Sequence, residues 1–69
     1  MKTKYDWSSV PKEVKWIAVD SDLWAYGYSE EPELEELTFF SDSYTGYLLR
    51  PCDHSYEGAW RDSLEERPK

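Results

Sequence analysis

"VKWIAVDSDLWAYGYS", residues 14 to 29, decides the fold. "VKWIAVD" is rich in β-branched and aromatic residues, which fit the pleated surface of a strand. Val14, Trp16 and Ala18 fall on one face of it, Ile17 and Val19 on the other. A strand apolar on both faces is expected inside a sheet, covered on each side. "DSD", residues 20 to 22, reads as a turn, because Asp and Ser side chains bond nearby backbone groups. "LWAYGYS" then returns as the second strand of a hairpin. Trp24, Tyr26 and Tyr28 share one face; Leu23, Ala25 and Gly27 share the other. Large rings opposite small residues imply close approach of a neighbour at Ala25 and Gly27, or a bulge at Gly27.

The flanking segments build outward from this hairpin. Upstream, Ser8, Ser9 and Pro11 predict a turn, or a short helical turn starting at Pro11, with Tyr5, Trp7 and Val10 over one edge of the core. Downstream, "EEPELEEL", residues 30 to 37, is ambiguous. Acids after Pro32 suit a helix N-terminus. The preferred reading is a loop or single helical turn leading into a strand "LTFFS". "SDSYTG" turns, "YLLR" returns as a last strand, and "PCDHSYEG" is a loop. "AWRDSLEER", with Trp60 and Leu64 four apart, predicts a short helix packing both on the sheet, stopped by Pro68. The expected fold is α+β, mainly β: a small antiparallel meander of three or four strands with a short C-terminal helix. Parallel pairs would need crossovers too long for this chain.

The 69 residues are expected to form a single domain, 1–69. A chain of this length buries only about 60% of its unfolded surface. Twelve aromatic residues, four of them Trp, offset that handicap, since each ring can bury on the order of 150–250 Å². Cys52 is the only cysteine, so no intramolecular disulfide forms. Nothing after Met1 reads as a signal peptide, and no stretch approaches the ~20 apolar residues of a membrane span. The expectation is a soluble protein of the cytoplasm.

Charge is unevenly placed. No Lys or Arg occurs from residue 16 to residue 49, an interval with eight acids and net charge −8, whereas the other seven acids and eight bases net +1. Folding does not demand such an exclusion, and self-repulsion works against it. An acidic surface repels nucleic acid and anionic membranes, so neither is expected as a direct partner. It attracts a basic protein surface or a cation.

"VPKEVKWIAVDSDLWAYGY" with its following proline, and "GAWRDSLEERP" near the end, resemble a group of small proteins of tailed bacteriophages and prophages. There a W-I-A-x-D-x-D strand and turn precedes a Y-x-Y strand and a proline, and the chain closes on a W-x-x-S-L-x-x-R-P-like tail. The matching segments cover about half of the chain. A glycine after the second aspartate would be common in the group, where this chain has Leu23. Members are mostly called hypothetical proteins, so the resemblance implies origin rather than mechanism. It implies action in the cytoplasm of an infected bacterium, where small acidic phage proteins often inhibit a host factor, defence proteins included.

The candidate partner-binding surface is therefore Asp20, Asp22, Trp24, Tyr26, Tyr28, Glu30, Glu31, Glu33, Glu35 and Glu36. Carboxylates spaced along a rigid sheet can imitate a row of phosphates, and exposed rings among them make interface anchors. The bland reading is a solvated acidic loop with core aromatics behind it. The alternative function is sequestration of a small nucleotide-like ligand, with Arg50, Arg61 and Trp60 as its binding residues, in a pocket between subunits of a homo-oligomer. No catalytic set, metal site or cofactor is expected. Asp20, Asp22 and Glu31 match positions 1, 3 and 12 of a calcium loop, but Trp24 takes a ligand position and Ala25 that of the required glycine. Cys52 and His54 are too few for zinc, and two residues apart on a loop they rarely meet as a catalytic pair.

Overall fold

A computed structural model describes residues 3–69. Strands β1 (Trp16–Val19) and β2 (Ala25–Tyr28) form the antiparallel hairpin read from the sequence, with Trp16 opposite Tyr28 and Val19 opposite Ala25. β3 (Glu33–Leu34) and β4 (Phe39–Phe40) form a second, small hairpin. β5 (Tyr44–Leu49) returns beside β2, and β6 (Glu65–Glu66) closes the other side of β1. The four-stranded sheet runs β5-β2-β1-β6, so β1 is internal, as its two apolar faces require.

Both faces of the sheet are covered. On one face Ile17, Val19 and Ala25 pack under Tyr5, Trp7, Val10 and Val14 from the N-terminal segment. Val14 and Ile17 are fully buried, each contributing on the order of 1.5–3 kcal/mol. Val14 precedes the strand and joins this face, not the Trp16 and Ala18 face that strict alternation assigns it. On the other face Ala18 and Tyr28 pack with Phe39 of the small hairpin, and Trp60 and Leu64 lean on them. Gly27 has the close neighbour that its small face implies: a Cβ there would lie 2.8 Å from Val14 Cγ1 and 3.1 Å from Tyr47 Cδ2. The bulge is on β5 instead. Gly27 faces three residues, Thr45 to Tyr47, as pairing moves from Tyr26–Leu48 to Tyr28–Tyr44. Gly46 absorbs the irregularity at φ +87°, which costs a glycine little.

The turn expected around Ser8, Ser9 and Pro11 is present, as a 3-10 turn at Trp7–Ser9 capped by Asp6 through the Ser8 N–H, followed by a turn in which Val14 N donates to Pro11 O at 3.1 Å. Two local expectations need correction. The segment 30–37 is neither loop nor helical turn throughout: Glu33 and Leu34 pair with Phe40 and Phe39 as strand. The C-terminal helix is absent. Trp60–Asp62 makes one 3-10 turn, and the chain then extends as β6. Trp60 and Leu64 still pack on the sheet, as their apolarity requires. Sheet pairing outcompetes the helix because the buried Ser63 hydroxyl accepts from Val19 N at 2.7 Å and faces Val19 O and Trp60 O. Arg67 completes the clasp, its N–H bonding Lys15 O and its guanidinium bonding the carbonyls of Val10, Pro11 and Val14.

Leu23 sits at φ +72°. That conformation costs an L-residue about 1–2 kcal/mol. Glycine would remove the strain but regain about 0.5–1 kcal/mol of unfolded-chain freedom. The Leu23 side chain is exposed, and its carbonyl bond to His54 Nε2 would survive the change. Leu23→Gly is expected to stabilise by about 0.5–1 kcal/mol, a Tm rise of a few degrees. A lower Tm by calorimetry would show the turn is not strained.

Candidate docking surface

The small hairpin is held in place by its backbone, which frees its side chains. Asp20, at the end of β1, accepts from Thr38 Oγ1 at 2.6 Å and from Phe39 N at 3.0 Å. Ser21 Oγ donates to Leu37 O at 2.8 Å, and the Arg61 guanidinium donates to Glu36 O. Glu35 N donates to Thr38 O at 2.8 Å and closes the turn at Glu36 and Leu37. Phe39 plugs into the core, its ring edge-on to Trp60 at 5.9 Å. At the base, Glu30 N donates to Ser43 Oγ.

With the backbone so fixed, Glu30, Glu31, Glu33, Glu35 and Glu36 all point to solvent. The one ion pair among the described residues is Arg50–Asp53 at 2.9 Å, well away from them in sequence. Arg61, the base nearest the hairpin turn, gives its hydrogen bond to a carbonyl, not to a carboxylate. Among the acids stand apolar side chains that the fold leaves out: Leu34, Leu37 and Phe40 are 47%, 70% and 55% exposed. The surface thus combines unpaired charge with apolar area on a rigid support, the composition of an interface.

Asp20 and Asp22 have structural work as well as charge. Asp22 accepts from Trp24 N at 2.9 Å and from Tyr26 Oη at 3.0 Å, which sets the β1–β2 turn. Trp24 and Tyr26 are half-buried, whereas Tyr28 is core. Burial, then Asp22 as hydrogen-bond partner, pushes the Tyr26 hydroxyl up to about 12. Burial, then the Asp20 charge, pushes Tyr28 up to about 12. Phe40, Tyr44, Leu34, Leu37 and Asp42 belong to the same surface and escape the sequence reading. Tyr44 and Leu48 fall on the outward positions of the alternation along β5, and of the adjacent Phe39 and Phe40 only one can face the core; these are the signals.

Of Arg50, Arg61 and Trp60, the structure brings Arg61 and Trp60 together, and Arg50 is engaged elsewhere. Arg50 pairs with Asp53, and Arg61 stacks on Trp60, which is itself packed against both halves of the core. His54 Nδ1 accepts from Tyr56 N, so Nε2 carries the proton donated to Leu23 O, and both ring nitrogens are engaged. Cys52 is exposed. Among the described residues no three His, Cys, Asp or Glu side chains are placed to hold a metal ion, and no helix is long and apolar enough to cross a membrane. No family model, curated protein or solved structure matches the chain.

Proposed function

We propose that the chain is a non-enzymatic binding protein whose acidic hairpin docks on the basic surface of another protein. One observation carries this reading: five exposed glutamates, without an ion-pair partner among the described residues, are interleaved with exposed Leu34, Leu37 and Phe40 on an anchored hairpin. A merely solubilising loop needs neither the anchoring nor the apolar side chains. The phage origin that the sequence resemblance implies makes the partner a bacterial host protein, inhibited or modulated by occupation of its basic surface. A host protein that grips DNA, defence proteins among them, presents such a surface, since carboxylates on a fixed support stand where phosphates would. The small-ligand alternative needs cations converging on a pocket, and Arg50 and Arg61 are each spent on groups of this chain.

Affinity capture from bacterial lysate tests the proposal. One basic protein is expected to be retained at low salt and shed at high salt, and E33Q/E35Q/E36Q is expected to lower its recovery about tenfold or more. Capture indifferent to both salt and the triple variant would sink the proposal.

A further inference from the structure

Beside the hairpin lies a shallow aromatic cup of about 220 Å³. Tyr28 and Phe39, both 5% exposed, form its floor, and Tyr26, Phe40 and Tyr44 its walls. The Tyr44 ring packs edge-on against Tyr26 at 5.8 Å and tilted against Tyr28 at 6.1 Å, so the three rings brace one another along the side of the cup. Asp20 lines the cup and has no cation within ion-pair distance among the described residues. An acidic cleft of about 520 Å³, with Glu30, Glu31, Glu33 and Asp42, adjoins it and shares Phe40 and Ser41. Apolar ligands gain nothing from this ring of carboxylates. A cation gains twice, from the electron-rich ring faces and from the uncompensated charge.

We propose that this cup receives the ammonium group of a lysine side chain from the basic partner, while neighbouring basic residues lie along the acidic cleft. The proposal rests on the docking function above and adds its anchor: the lysine stem packs on Phe40 and Tyr44, and the ammonium sits among the rings facing Asp20. It gives the exposed Tyr44, 43% accessible, and Phe40 a role that the fold does not.

The test is an NMR titration with a defined probe, a peptide of about ten residues alternating Lys and Gly, against its lysine-acetylated counterpart, which lacks the charge. The unmodified peptide is expected to shift the ring and amide signals of Tyr26, Phe40 and Tyr44, and the acetylated one to leave them unmoved. Tyr44→Leu and Phe40→Leu alter exposed rings and should stay folded. Each is expected to weaken binding about tenfold, whereas Tyr44→Phe, which keeps the ring, retains it. If the lysine peptide shifts only residues 30–37 and Tyr44→Leu binds as well as wild type, the cup is overturned while the docking function stands. If neither region responds, both fall. Equal binding of the acetylated peptide would also overturn the cup as a cation site.

Discussion

Ser63→Ala is expected to destabilise the domain by about 2–3 kcal/mol, because it strips a partner from a buried backbone N–H. Ser63 is fully buried and its hydroxyl stands in for a strand backbone opposite Val19, accepting from Val19 N at 2.7 Å. Tyr5 Oη donates to Ser63 O at 2.6 Å, so the same residue joins the N-terminal cover to the C-terminal strand. A domain of this length holds only about 3–10 kcal/mol in total. Loss of the hydroxyl therefore removes a large share. The midpoint of urea unfolding, at unchanged slope, reads it out. A change under about 0.5 kcal/mol would mean that the Arg67 clasp and the Tyr5 bond to Ser63 O hold β6 without the hydroxyl.

Stability is also expected to fall steeply between about pH 10 and about pH 12, and buried tyrosines are the cause. The hydroxyls of Tyr26 and Tyr28 are both pushed up to about 12, chiefly by burial. Tyr5 is raised for the same reason. In the unfolded chain these groups ionise near pH 10. Above that, the folded state holds protons that the unfolded state has released, so unfolding gains free energy as pH rises. The stability is fully present below pH 10 and is lost as pH climbs to the folded values. Tyr5 and Tyr28, each 5% exposed, carry the larger part, with about 2 kcal/mol from Tyr28. Tyr26 is half-buried, and solvent screening reduces its part. Urea midpoints from neutral to alkaline pH should trace this decline, and Tyr28→Phe, which cannot ionise, should make it shallower while the share of Tyr5 remains. An equally steep decline in Tyr28→Phe would place the cause elsewhere.

The central hairpin was legible because its pattern has one reading. Trp16, Ala18, Tyr26 and Tyr28 alternate with Ile17, Val19, Ala25 and Gly27 at the period of a strand, and the size contrast around Gly27 reports the Val14 contact. The C-terminal strand was illegible because Glu65 and Glu66 are good helix formers. The Ser63 bond to Val19, across 44 residues, and the Arg67 clasp make extension the better choice. β3 hid for a similar reason, although its partner β4 lies in the strand read at "LTFFS". Glutamate is sparse in strands, and the hairpin is imposed by Asp20 from 18 and 19 residues away. The charge of the docking surface could be read from composition, but its apolar component could not. Which of Phe39 and Phe40 faces out depends on where Trp60 sits. Residues that carry the phage resemblance, Asp20, Asp22, Ser63 and Arg67, are fold-keeping in the structure.

The most direct test of the docking surface is the dissociation constant of the complex with the captured host protein, measured across salt concentrations. Wild type and E33Q/E35Q/E36Q would be compared, with folding of both checked by circular dichroism. The expected result is affinity that falls steadily with salt for wild type, and a triple variant that is both weaker and less sensitive to salt. Parallel curves of equal affinity, from two equally folded proteins, would contradict the claim that the acidic hairpin is what the partner grips.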